Sequence, residues 1–436
     1  MVNFYFEDYH GTKNFTLIKE INSEGLDRFT FSPLFSRLHT LTTDFDDEEN
    51  KTFKRYTVND NIEDNYVISV GVNNTPFHWA GGEFAEEPLN PFFIYTKPEK
   101  SLFDFLNSKY LTDLKDGKAF LLIDSSLEGY HEDWIFNFFH QECDKRGISP
   151  NQIIFVSGNS IVEEKYTEWL DMNPKKIKIN PLPYSHFEYD VYRTSHEMKL
   201  KNKLPTFQDH IEYKTTNEIK LFNNLNRKAR EHRSYLYIQL FRNKLLDSGL
   251  VSMNEFDNNN LLYFLKKRIN KRTLDLVCPT LPALVYSSPN TILKSDFYVN
   301  RILTDVYLDT WLTVVSETGY NDADGTVFLS EKLFKPISCT HPFIVVGNKH
   351  SLVELKKLGY ETFSNWIDES YDNEPDKKRI DVIIDLLKDL KKIRNKMSFF
   401  MDMEEVLKHN YRILERNAVE TYPYAYNEIV KIVNKK

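Results

Sequence analysis

The segment WLTVVSETGYNDADGTVFLSEKLFKPISCTHPFIVVGNKHSLVELKKLG, residues 311–359, decides the fold. WLTVVSET (311–318) is a short apolar run closed by polar residues, the pattern of a buried strand. A loop, GYNDADGTV, leads into SEKLFKPISCT (330–340), a helix opened by Ser330 as N-cap with Glu331 in its first turn. HPFIVVG (341–347) is a second strand and HSLVELKKLG (350–359) a second helix with Gly359 at its C-terminal cap. YETF (360–363) returns as a short strand. Alternating β and α elements of this length predict a parallel sheet with helical crossovers.

The same alternation extends outward. Upstream, IKLFNNLNRKAREHR (219–233) predicts a strand, a basic turn and a helix running through Leu245. Downstream, Ile383, Leu386, Leu390, Ile393 and Met397 mark one apolar face of an amphipathic helix over 379–397. In the N-terminal half, KAFLLID (118–124) is a strand, HEDWIFNFFHQECDKRG (131–147) a helix stopped by Gly147, and QIIFVSGN (152–159) another strand. KIKINPLPYSHFEYD (176–190) reads as a further strand and a loop, and the polar stretch 191–217, with Pro205, as a linker. Before residue 110, YVISVGV (66–72) and PFFIY (91–95) are strand-like runs among acidic loops.

The expected fold is therefore α/β, with two Rossmann-like domains facing each other across a cleft. The expected boundaries are 1–205 for an N-terminal, acceptor-side domain and 206–415 for a nucleotide-sugar-binding domain. Residues 416–436 form a C-terminal helix packing back on the first domain. Ligands of such sheets lie beyond the carboxyl ends of the strands.

Bulk properties narrow the function. A chain of 436 residues, 41% hydrophobic and 14% aromatic, exceeds what one core holds. A net charge of −8 is not that of a generic nucleic-acid binder, though it allows a local basic cleft. Cys143, Cys278 and Cys339 are far apart and odd in number, with neither a disulfide framework nor zinc spacing, so a reducing compartment is expected. The first residues lack the basic and apolar regions of a signal peptide, and no apolar run reaches membrane-spanning length. The expected location is the cytoplasm, which leaves a membrane-linked acceptor open.

The chemistry concentrates in two basic clusters. Lys332 sits beside the positive end of a helix dipole, an unfavourable place for a cation unless an anion binds there, and Lys335 follows one turn on. Free N–H groups, dipole and lysine together make a phosphate site. Pro336 is expected to kink this helix. Glu317, at the end of the preceding strand, is placed to accept hydrogen bonds from sugar or ribose hydroxyls. The second cluster is Asn226, Arg227, Arg230, His232 and Arg233, whose spacing puts three arginines on one helical face that a diphosphate would neutralise. The run KKRINKR (266–272) reads as a solvated face. Asp322 and Asp324 form an acidic turn, and no metal is expected.

Quoted together, SEKLFKPI, HPFIVVG, LKKLGYETF, IDESYD and LNRKAREHR resemble the GT-B glycosyltransferases. The likeness is nearest to phage and bacterial members related to fucosyltransferases. The EGY and VSGN runs of the first half resemble the same group. The resemblance spans roughly residues 118–375 and implies that Glu331, Lys332, Arg227 and Arg230 hold a sugar nucleotide. An enzyme that inverts at the anomeric carbon also needs a general base for the acceptor hydroxyl. Glu128, in the turn after a strand, is the preferred candidate, with Asp124 and His131 as neighbours of similar claim.

The function this predicts is transfer of a sugar from a nucleoside diphosphate sugar to an acceptor hydroxyl, in glycan or surface polysaccharide synthesis, with no separate cofactor. The catalytic residues are Glu128 and Lys332. The donor-binding residues are Asn226, Arg227, Arg230, Arg233, Glu317, Ser330, Glu331 and Lys335. Two rivals stand beside it: a phage-type transferase that glycosylates modified DNA bases, and a non-catalytic carbohydrate-binding protein of GT-B shape.

Overall fold

The computed structural model describes residues 3–5, 29–30, 65–72, 93–94, 97–101, 103, 106, 108–127, 129, 133–256, 259–283, 302–321 and 325–435. The chain divides into two compact units: Met1–His186 with Asp324–Thr326 and Glu420–Lys436, and Phe187–Ala323 with Val327–Val419.

The first unit is built on strands β1 (Asn3–Tyr5), β2 (Phe29–Thr30), β3 (Tyr66–Val72), β6 (Ala119–Ser125), β7 (Ile153–Ser157) and β8 (Asn180–Pro183). β4 (Phe93–Ile94) and β5 (Lys97–Ser101) form a separate antiparallel pair. The main sheet runs β1-β3-β6-β7-β8, all parallel, with β2 antiparallel on β3. Successive side chains of a strand point to opposite faces, and both faces here are apolar. Tyr66, Ile68, Leu121, Ile123, Ile153 and Phe155 face a core with Phe136, Phe139 and Trp169, from helices Asp133–Arg146 and Val162–Met172. Val67, Phe120, Leu122, Ile154 and Val156 pack instead with Ala425, Ile429 and Val433 of the last helix, Glu404–Asn434. That double burial is why KAFLLID shows no alternation.

The second unit holds β9 (Lys220–Leu225), β10 (Gly249–Ser252), β11 (Thr310–Ser316) and β12 (Phe343–Val346), all parallel, in the order β10-β9-β11-β12. The chain builds outward from β9 on one side, then crosses back to add β11 and β12 on the other. The sheet thus reverses direction between β9 and β11, and their carboxyl ends flank a topological switch point, where such folds bind ligands. Its core is partly polar and satisfied. Asn223 Nδ2 donates to the hydroxyls of Thr310 (2.9 Å) and Thr313 (3.0 Å), and Asn224 Nδ2 to Val314 O (2.6 Å) and Ser316 Oγ (2.9 Å). These bonds tie β9 to β11 and offset the cost of burying the amides.

Three expectations are corrected. The stretch 191–217 is not a linker but two helices, His186–Leu200 and Phe207–Thr216. The second opens with a Thr206/Asp209 capping box, and Glu188 anchors the first to Tyr360 Oη (2.5 Å) and Asn417 Nδ2 (2.8 Å) of its own unit. The compact units divide first at His186/Phe187. YETF is not a strand: Asn410 pairs both the N–H and the C=O of Glu361, doing what a neighbouring strand would do. The helix expected over 379–397 is two, Asp376–Lys392 and Lys396–Met401, the second capped by Asn395.

Candidate active site

The Glu331–Ser338 helix begins where the sequence places it. Ser330 is its N-cap, in extended conformation, and its hydroxyl accepts from Lys332 N–H at 3.4 Å. Pro336 is accommodated within the helix, which ends at Ser338. What fixes its start is Glu317, one residue beyond β11. The Glu317 carboxylate is fully buried and accepts from Ser330 N (3.0 Å), Ser330 Oγ (2.5 Å) and Thr318 N (3.2 Å). Both of its oxygens are committed to the protein, so Glu317 does not present itself to a sugar. Burial pushes its carboxyl up, against the pull of Lys332 and the bonds from Ser330.

Two cations from elements far apart in sequence reach the next residue. Arg230 Nη1 donates to Thr318 O at 3.1 Å, and Lys332 Nζ approaches Thr318 Oγ1 at 3.4 Å. Lys332 Nζ also meets Ser330 Oγ at 3.2 Å and Glu331 Oε1 at 2.7 Å, with about a quarter of the side chain still open to solvent (27%). Arg233 is buried and donates through Nη2 to Ser316 O (3.2 Å) and Glu317 O (2.9 Å); its Nε has no partner among the described residues. Burial and the neighbouring Arg230 hold its guanidinium down to about 10. The backbone of residues 316–318 is thus clamped by two arginines, with a lysine above it.

The three arginines do not share a helical face. The helix is Glu231–Arg242, so Arg230 is its cap residue, Arg233 lies in its first turn, and Arg227 is exposed in the turn before it. Asn226 is buried just beyond β9, its Nδ2 donating to Asn224 Oδ1 at 2.7 Å and its own Oδ1 unpartnered among the described residues.

Charge balance favours an anion. Arg230, Arg233, Lys332 and Lys335 stand against Glu317, Glu331 and Asp190, leaving one positive charge in excess. Burial raises the Glu331 carboxyl, but Lys332 and Lys335 outweigh it and the net direction is down. Lys335 is pulled down to about 8, mainly by burial, with Lys332 adding to the effect and Glu331 and Asp190 opposing it. No hydrogen bond or ion pair reaches its ammonium among the described residues. A bound anion would relieve both costs.

Several residues support this frame, and of these the sequence singles out only His232. The His232 ring stacks on Tyr320 (5.0 Å between centroids, 10° between planes), and its Nε2 lies 3.0 Å from Glu317 O. Burial drives this imidazole well below its usual range, so it is neutral. Arg379 lies 5.0 Å from the Tyr320 ring centroid and donates to the carbonyls of Tyr320, Gly347 and Glu374. It is almost fully buried, although DKKRI looks like a solvated run. A Cβ at Gly319 would meet the Asn348 carboxamide, which would have to move aside.

The proposed base Glu128, its neighbour His131, and Asp322 and Asp324 lie outside the described residues. Asp124 is described: it is buried at the end of β6, with Oδ1 accepting from Ser126 N at 2.9 Å. Among the described residues no group of His, Cys, Asp or Glu is arranged to hold a metal ion, and no helix is long and apolar enough to cross a membrane.

No family model matches the chain, and no curated protein does. Among solved structures it is similar to an α,α-trehalose 6-phosphate synthase from Burkholderia multivorans, at 8% identity and a TM-score of 0.42, over 85% of this chain and 70% of that one. It is also similar to the N-terminal domain of a Candida albicans trehalose-6-phosphate phosphatase, at 12% identity and 0.36, over 74% and 67%. A third likeness is to a glycosylation-associated protein complex from Streptococcus agalactiae, at 8% identity and 0.27, over 82% and 55%. The chain itself is an α/β protein of two Rossmann-like units, each built on a parallel sheet.

Proposed function

We propose that the chain is a glycosyltransferase of GT-B type whose second unit binds a nucleoside diphosphate sugar at the β9/β11 switch point. One observation carries this reading: Arg230 and Lys332, on separate helix N-termini, converge on Thr318 at the carboxyl end of β11. Two helix N-termini and two cations at one point suit a diphosphate.

In this reading Lys332 and Arg230 hold the diphosphate, Arg227 approaches it from solvent, and Lys335 adds charge from below. Glu317, Arg233, His232 and Arg379 hold the frame and touch no substrate. The transfer breaks the bond from the anomeric carbon to the diphosphate oxygen and forms one to the acceptor oxygen. The leaving oxygen takes the electron pair, and preorganised cations stabilise that growing charge most where water is scarce. The acceptor proton passes to a carboxylate, for which Glu128 is our candidate.

The test is a calorimetric screen of UDP, GDP, ADP and CDP and their common sugar conjugates. We expect one nucleoside diphosphate to bind, and Lys332→Ala to weaken it while the thermal transition stays in place. Binding of none of them, or unchanged affinity in the variant, would refute the reading.

A further inference from the structure

A second concentration of positive charge is carried by residues that take no part in the cluster around Thr318. The helices Asn259–Arg268 and Lys271–Val277 follow one another and bury one side in a shared core, through Leu261, Leu265, Ile269, Leu274 and Val277. Their other sides are exposed and carry Lys266, Lys267, Arg268, Lys271 and Arg272, against the single acid Asp275. No carboxylate pairs with Lys266, Lys267, Lys271 or Arg272 among the described residues. Each helix also exposes one large apolar group, Tyr263 (59% exposed) on the first and Leu276 (57% exposed) on the second. The Lys267 ammonium lies 4.2 Å from the Tyr263 ring centroid, so cation and ring present themselves together.

On a chain of net charge −8, these cations on two successive helices form a local patch of opposite sign, able to attract an anionic surface. Cations alone would suit any polyanion. The exposed Leu276 and Tyr263 distinguish the candidates, because a phosphodiester backbone gives an aliphatic side chain nothing to enter, whereas a bilayer interface does. We propose that this face docks on a bilayer surface bearing anionic lipid headgroups. The proposal does not depend on the second unit binding a sugar nucleotide.

Cys278 offers a local readout. It is exposed at the end of the second helix, while Cys143 and Cys339 are buried, so a polarity-sensitive fluorophore can be placed there on the full chain. The labelled protein is mixed with vesicles of phosphatidylcholine alone, or with about one third phosphatidylglycerol, at low and high salt. We expect sedimentation and a blue shift only with the anionic vesicles, and loss of both at high salt. Combining Lys267→Gln, Lys271→Gln and Arg272→Gln should lower partitioning about 100-fold, and Leu276→Ser about fivefold, with unchanged thermal transitions. Equal partitioning onto neutral vesicles, no partitioning onto either, or an unaffected triple variant would overturn the proposal. So would duplex DNA that strips the protein from vesicles at equal phosphate concentration, which would assign the face to nucleic acid.

Discussion

The two edges of the second sheet each hold a lysine, and the two do opposite things. At the amino edge, Lys214 is 4% exposed, and its ammonium donates to the carbonyls of Tyr307 (2.9 Å), Leu308 (2.7 Å) and Thr310 (2.6 Å). These carbonyls lie at the end of helix Thr304–Leu308 and the start of β11, a favourable place for a cation. Every N–H of that ammonium is used, and burial still pulls its proton affinity down to about 7. At the carboxyl edge, Lys332 sits at a helix N-terminus, an unfavourable place; among the described residues its ammonium meets side chains only, those of Thr318, Ser330 and Glu331, keeps part of its surface in solvent, and has Arg230 and Lys335 for company. Lys214 spends all its donors on main-chain carbonyls of the fold. A group of cations placed against the local field is poised for something else.

That contrast can be broken by experiment. Lys214→Ala should show the largest effect, a loss of about 3–5 kcal/mol in chemical unfolding, since the three carbonyls it served stay buried. Any surviving folded protein should bind nucleoside diphosphate as before. Lys332→Ala should do the reverse: about 2 kcal/mol of diphosphate affinity, roughly 30-fold, with stability within about 0.5 kcal/mol. A large stability loss there would make the two lysines alike. Glu317→Gln keeps the shape but removes the charge that holds Ser330, and should cost about 1–2 kcal/mol in unfolding experiments, with a smaller loss of affinity.

pH sharpens the same comparison. Lys335 loses its proton near pH 8, so diphosphate affinity should fall as pH rises through that value, and Lys335→Met should flatten the limb. A bound diphosphate favours the charged form and should shift the limb upward. Lys214 has its affinity lowered from 10.5 to about 7, so it contributes a penalty fully present below about pH 7 and relieved as pH rises towards 10.5. Stability, unlike affinity, should therefore gain from this residue on the alkaline side. The smallest effect is expected at Arg227→Ala: it is exposed, and its removal should cost no more than about threefold in affinity.

The sequence and the structure agree where local pattern suffices. Apolar runs locate β6, β7, β11 and β12, Ser330 marks a cap, and Gly147 and Gly359 take the left-handed conformation that ends a helix. The pattern fails where side chains replace backbone partners. Asn410 serves the YETF backbone, and the polar helix His186–Leu200 passes for a linker because its buried anchor is Glu188 rather than an apolar row. At the site, residue type was legible but partnership was not. A glutamate after a strand looks like a ligand until its oxygens are found on Ser330 and Thr318, and Arg379 gives no hint of its burial beneath Tyr320.

The convergence on Thr318 is tested most directly by a double-mutant cycle on nucleoside diphosphate affinity with Arg230→Ala, Lys332→Ala and the pair. If both cations hold one diphosphate, their losses should be non-additive by about 0.5–3 kcal/mol. Strictly additive losses, or none in either single variant, would mean that the two cations do not share a ligand.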